Sequence, residues 1–346
     1  MSFGRDGAQI PMMREWAEIL TRHLGVDASL VGLSTTLDGP AFEERLGVFL
    51  QRVAALKLAG PMLEDLALAL GPEWSAPRRA GLDALGWTNR HANAVARLDH
   101  VIGLIHGSLY AQFGAANIDL FGASRAFAAL LTSLEIHPRS NWAYATTNYD
   151  VIPDHVVSGM GMNPDHGAIK PVEGGTPVLR VDGLLDGMSR YVPVLHLHGR
   201  VGWLRRADDA SEIEVENARA PLADHIPIIE LPGLNKNYGD SVISALWEAF
   251  RLALARAKRV LVLGHSLNDD ALAAAIRENA APDSVAVSVL AEPNNRTVLS
   301  EEGKRMKGWV ADKLPSGTAT IPMYFDRQYG SNGQHSGLEA WLNATR

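Results

Sequence analysis

The chain has 346 residues, 47% hydrophobic and 21% charged, with a formal net charge of −7 and no cysteine. That length can bury a large core, and the lack of cysteine excludes disulfides, thiolate nucleophiles and cysteine-based zinc modules. The negative balance argues against direct nucleic-acid binding. No apolar run reaches the roughly 18 residues of a membrane span and the N-terminus carries no charged-then-apolar pattern, so the expected setting is cytoplasmic, with no membrane partner.

In chain order, residues 1–11 are Gly-rich, and Pro11 is expected to open a helix at its favoured first turn. Trp16, Ile19, Leu20 and Leu24 then recur at helical spacing. Residues 30–40 read as a loop. From 41 to about 138 the pattern is mostly helical. Phe42, Leu46, Phe49, Leu50 and Val53 form one apolar face, and Met62, Leu63, Leu66 and Leu70 a second, bracketed by Pro61 and Pro72. Residues 92–109 and 124–134 predict further helices. Neither a repeat nor a sustained heptad is present.

Residues 142–145 predict a short buried parallel strand that ends in Thr146-Thr147-Asn148-Tyr149-Asp150. Residues 151–189, rich in Gly, Pro and Asp, read as loops and short hairpins. A second strand at 192–197 ends in His198-Gly199, and 200–224 reads as a hairpin or exposed loop. Residues 226–231 predict a buried strand, and 239–257 a helix carrying Val242, Leu246, Phe250 and Leu254. A third strand at 259–263 ends in Gly264-His265-Ser266-Leu267-Asn268-Asp269 and leads into a helix at 270–279. Residues 285–290 alternate as a strand, 318–324 predict another, and a short helix holds Leu338, Trp341 and Leu342. This alternation predicts an α/β fold, a Rossmann-like doubly wound, mostly parallel sheet with a helical insertion. Its domains are 1–40 with 138–346, and an inserted helical layer at 41–137.

In such sheets ligands sit at the carboxyl ends of strands. Asn148 offers a donor and an acceptor without titrating, and Asp150 can accept from a carboxamide or a ribose hydroxyl. The competing reading is an Asx-turn, in which both side chains satisfy local backbone. His198 can take a proton near neutral pH, and Gly199 lets a backbone or ligand approach. His196, two residues earlier, leaves a metal pair open, although a third ligand is not evident. At 264–269, Ser266 and exposed amides suit phosphate or ribose oxygens, and Asp269 favours ribose over phosphate. The alternative there is N-capping by Asn268.

Together TTNYD (146–150), LHG (197–199), IIELPGLNK (228–236) with the later Leu246-Trp247, and GHSLND (264–269) resemble the sirtuin-like family of NAD-consuming proteins. The resemblance covers the C-terminal 210 residues or so of the chain. It implies that Asn148 and His198 are catalytic, Asn148 orienting ribose or water and His198 acting as general base. It implies NAD as substrate, held through Ser2, Thr147, Asp150, Gly199, Gly264, Ser266 and Asp269, with no metal. Without the four-cysteine module of protein-deacylating members, the chain resembles the bacterial branch that hydrolyses NAD, often as an effector of anti-phage defence. A homo-oligomer or a defence-system partner protein is the expected company. The alternatives are a non-catalytic NAD or ADP-ribose sensor and an NAD-dependent protein deacylase.

Two departures from the family pattern accompany this. Arg200 follows His-Gly where that branch commonly has Ser. The Gly-Ala-Gly-x-Ser turn is absent: Phe121-Gly122-Ala123-Ser124 is a partial look-alike at a helix start, with Ser124 as its N-cap. Ser2 fits the family's serine if Met1 is the x, so upstream in-frame codons are expected to encode an apolar strand ending in Gly-Ala-Gly.

Overall fold

The computed structural model describes residues 13–69, 87–114, 119–124, 127, 141–166, 168–169, 178–179, 185, 191–206, 213–215, 225–231, 241–264, 267, 269–292 and 295–323. The chain divides into two compact units, one of residues 11–112 with 230–237, the other of residues 1–10, 113–229 and 238–346. The expected helices at 124–134 and around 338–342 lie almost wholly outside the described residues.

The first unit is helical. Helix α1 (Met13–Leu24) leads through a 3-10 turn into the short α2 (Ala28–Val31), which ends at Gly32 in the left-handed region. Helices α3 (Gly39–Ala69) and α4 (Trp87–Phe113) follow. The apolar periodicity explains the packing: Trp16, Leu20, Leu24, Phe42, Leu46, Phe49 and Val53 are all buried. Trp16 meets Phe42 edge-on at 5.2 Å, and its indole N–H donates to Ser108 Oγ at 3.1 Å. Residues 13–31, grouped with the nucleotide domain on sequence grounds, therefore fold with the helices, because Trp16 belongs to their core. One expectation fails at Pro61, which lies inside α3 instead of opening a separate helix. Pro61 removes one ladder hydrogen bond, yet the helix continues past it.

The second unit is mixed α/β. Strands β1 (Tyr144–Thr146), β2 (Asn163–Asp165) and β5 (Tyr191–His196) form a parallel triplet in the order β1-β5-β2. Helix α5 (Ile152–Gly159) is the crossover from β1 to β2. A second parallel triplet, β9 (Val260–Val262), β10 (Val285–Glu292) and β12 (Ala319–Met323), has β10 at its centre, and β11 (Asn295–Leu299) pairs antiparallel with the far end of β10. Helix α6 (Ser241–Arg256) precedes β9, α7 (Asp270–Asn279) joins β9 to β10, and α8 (Glu301–Lys313) joins β11 to β12. Among the described residues the two triplets are not hydrogen-bonded to each other. They share a core in which Leu195 and Leu197 cluster with Leu246, Phe250, Ile276, Val285 and Val287.

A third sheet is antiparallel, in the order β3 (Ala168–Ile169), β4 (Val178–Leu179), β7 (Ile213–Val215), β6 (Gly199–Arg206), β8 (His225–Ile229). These sheets bear on three sequence readings. Of the hairpin and exposed-loop readings of 200–224 the hairpin holds, since β6 pairs antiparallel with β7, and its first strand is buried, with Val201, Trp203 and Leu204 in the core. The strand expected to be buried at 226–231 is an edge of this sheet, with Ile226 55% exposed. An edge is where Pro227, lacking an N–H, is tolerated. Finally, β10 does not alternate: Val285, Ala286, Val287, Ser288 and Val289 are all buried, as befits a strand with parallel neighbours on both sides.

Candidate functional site

The turn after β1 is fixed by its own side chains. The Asn148 N–H donates to Thr146 Oγ1 at 3.0 Å, and the Ile152 N–H donates to Asp150 Oδ1 at 2.9 Å across the start of α5. For Asp150 the Asx-turn alternative is thus realised: its carboxylate caps local backbone. It is buried. Burial pushes its carboxyl up to about 6, opposed by the Ile152 N–H, assisted by the nearby Asp154 charge and opposed again by Arg200. Asn148, by contrast, is exposed at the apex, and Thr147 is half-buried.

Two backbone hydrogen bonds lay this turn beside the end of β5. The Leu197 N–H donates to the Thr146 carbonyl at 2.9 Å, and the Val201 N–H to the Tyr149 carbonyl at 2.8 Å. His198 lies between those anchors, only 5% exposed. Its ring centroid lies 6.4 Å from that of Tyr149 and 6.3 Å from that of Trp247. Trp247, from α6, donates its indole N–H to the Leu197 carbonyl at 3.0 Å. Gly199 has φ +78°, and a β-carbon on it would lie 2.0 Å from the Ile228 carbonyl oxygen. The approach that this glycine permits is that of β8.

The third strand end closes on the second. His198 Nε2 stands 2.9 Å from Asp269 Oδ2. The other oxygen of Asp269 accepts from the Ala271 and Leu272 N–H groups at 3.1 and 3.2 Å, so Asp269 is the N-cap of α7. The cap expected at Asn268 is therefore supplied by its neighbour. Asp269 joins His198 to the dipole end of a helix. Gly264 has φ +63° with open space where a side chain would project, and its N–H donates to Ser288 Oγ at 3.1 Å. Ser2 and Ser266 lie outside the described residues. The look-alike turn at 121–124 is capped by Asp119, whose Oδ1 accepts the Gly122 N–H at 2.9 Å, and not by Ser124.

His196 and His198 do not form a pair. β5 ends at His196, and the two rings go to different carboxylates. His196 is fully buried against Trp203, and its Nε2 lies 3.0 Å from Asp154 Oδ2 on α5. Arg200 Nε is 3.5 Å from the same oxygen, and His166 Nδ1 is 3.4 Å from Oδ1, outside hydrogen-bonding alignment. Burial raises the Asp154 carboxyl, but Arg200, His196 and His166 together hold it well below the usual carboxylate range. Burial likewise keeps His196 toward its neutral form. Arg200, flagged for its place after His-Gly, is thus spent on a buried charge. Among the described residues no group of three or more His, Asp or Glu side chains is arranged to hold a metal ion.

Sequence reasoning missed Asp154 because the Gly/Pro/Asp richness of 151–189 reads as loop. The available signal was Pro153 followed by an acid, which suits a helix first turn. No protein-family model matches the chain, and no curated protein matches it. Among the described residues no helix is long and apolar enough to cross a membrane.

Proposed function

We propose that the chain is an NAD glycohydrolase of sirtuin-like, Rossmann-like architecture, with His198 as the base of the reaction. The observation that carries this reading is the 2.9 Å pairing of His198 with Asp269, two strand-end residues singled out independently, near the Tyr149 and Trp247 rings. A carboxylate at that distance fixes the imidazole and stabilises the cation it becomes on accepting a proton. In the reaction the bond from ribose C1′ to the nicotinamide nitrogen breaks, and its electron pair leaves with neutral nicotinamide. Water bonds to the oxocarbenium carbon and gives its proton to His198. Asn148, exposed at the neighbouring turn, suits the orientation of that water or of a ribose hydroxyl. Asp150, engaged with the Ile152 N–H, acts through the shape of the turn.

One observation favours a second reading, a sensor that binds NAD or ADP-ribose without turnover: His198 is almost wholly buried. Incubating the purified protein with NAD separates the two. Glycohydrolysis releases nicotinamide and ADP-ribose in equal amounts, whereas a sensor gives a calorimetric binding signal and leaves NAD intact.

A further inference from the structure

Leu267 is the one non-glycine residue with a positive φ among the described residues, at 58°, and it is 1% exposed. A β-carbon makes that conformation costly, so a leucine adopts it only where its surroundings enforce it. Two contacts do so here. The Leu267 side chain belongs to the core shared by the parallel triplets, and its carbonyl accepts a hydrogen bond from Lys313 Nζ at 3.0 Å. Lys313 is the last residue of α8, far along the chain. Its ammonium also donates to Asp270 Oδ1 at 2.8 Å, and its own carbonyl accepts from Arg277 of α7 at 3.2 Å. The lysine therefore grips the loop on both sides of Asp269, the residue that faces His198.

We propose that Lys313 is a positioning residue, an ammonium staple that holds the left-handed Leu267 turn so that Asp269 stays aimed at His198. This rests on the reading of His198 as the catalytic base. Lys313 acts on the site through the loop, by its bonds to the Leu267 carbonyl and to Asp270. Its partner Asp270 is largely exposed, so the Leu267 carbonyl is the contact that matters. Releasing it lets the turn relax toward an ordinary conformation and swings the Asp269 carboxylate, which still has its two helix N–H groups to satisfy, away from the imidazole.

The test is Lys313→Met beside Lys313→Arg and Asp270→Asn, read by NAD turnover and by proton NMR of histidine-labelled protein. The His198 Nε2 proton is assigned by its loss in His198→Gln. In Lys313→Met that resonance should broaden or move, and kcat should fall about tenfold, the scale of a small misplacement. KM for NAD should stay within about twofold, since ground-state binding is untouched. Lys313→Arg should restore both readouts, and Asp270→Asn should leave both as in wild type. A folded Lys313→Met with unchanged resonance and kcat, even if less heat-stable, overturns the proposal, as does a wild-type protein that lacks the resonance. If wild type does not turn over NAD, the glycohydrolase reading fails, and the resonance alone decides the staple. If Lys313→Met does not fold, Lys313→Gln replaces it under the same criteria.

Discussion

Asp150 and Asp154 lie four residues apart, both buried, and their environments push them in opposite directions. A carboxyl raised to about 6 contributes stability only while it is protonated, so what Asp150 offers the fold is lost as pH rises through that value. Asp150→Asn keeps the acceptor for the Ile152 N–H and removes the charge. It should raise stability by about 3 kcal/mol at pH 8, a gain that shrinks below pH 6 and disappears under the ordinary carboxylate value. Denaturant titrations at pH 4, 6 and 8 measure it, and a pH-independent difference contradicts it. For Asp154 the sign reverses. A depressed carboxyl contributes stability above the ordinary carboxylate range and loses it as pH falls through its own low value. Asp154→Asn should cost about 3–5 kcal/mol at neutral pH, the scale of a buried charge left unpaired, and less in acid. Adding Arg200→Met should recover much of that loss, and a double variant as unstable as the sum of the singles refutes the pairing. At the candidate site, Asn148→Ala should lower NAD cleavage by roughly 10²-fold while the circular dichroism spectrum is retained. The strand-end polar residues were legible in sequence because polar groups at the carboxyl end of a strand have few structural uses. The pairings were not, because Asp269 reaches His198 across 71 residues and Asp154 reaches His196 across 42.

Elements whose apolar period runs unbroken were legible, and those disguised by charges or turn formers were not. Helix α6 and strands β5 and β9 lie within a residue or two of expectation. The burial of strand β6 escaped because Arg200, Gly202, Arg205 and Arg206 interleave its apolar residues, and the charge of Arg200 is met by Asp154 on another element. Helices α5 and α8 were missed for related reasons. The first begins with Ile-Pro-Asp, and the second mixes Glu, Lys and Arg with Gly303 and Gly308. Gly303 is not a defect in α8. A β-carbon there would lie 2.0 Å from the Leu290 carbonyl of β10, so the glycine lets helix and strand touch. Its N–H also completes the Ser300 cap at 3.0 Å. Gly303→Ala should therefore destabilise the protein by about 1–3 kcal/mol through overpacking, although alanine is the better helix former. Gly308→Ala, with open space around it, is the comparison. Thermal denaturation of both variants decides, and equal behaviour contradicts the close approach.

At the scale of the whole molecule, the mixed α/β class was legible, and the partition of its strands was not. Hydrophobic pattern marks a strand but not its partner. An edge strand such as β8 and a central one such as β10 both read as apolar runs until their neighbours are known. The same holds for Trp16, whose helical spacing was clear but whose place in the helical unit depends on Phe42 and Ser108. What the fold achieves is to bring the ends of β1, β5 and β9 within one set of contacts, where the Asn148 turn, His198 and Asp269 meet. On the proposed function, His198 and Asp269 work as one unit in cleaving NAD. This is tested most directly by nicotinamide release from wild type, His198→Ala, Asp269→Asn and the double variant, measured at saturating NAD. The expected results are release by wild type, a loss of roughly 10²-fold or more in His198→Ala, and a double variant no slower than His198→Ala alone, since a pair acting together is lost once. No release by folded wild type, or losses that multiply in the double variant, would contradict it.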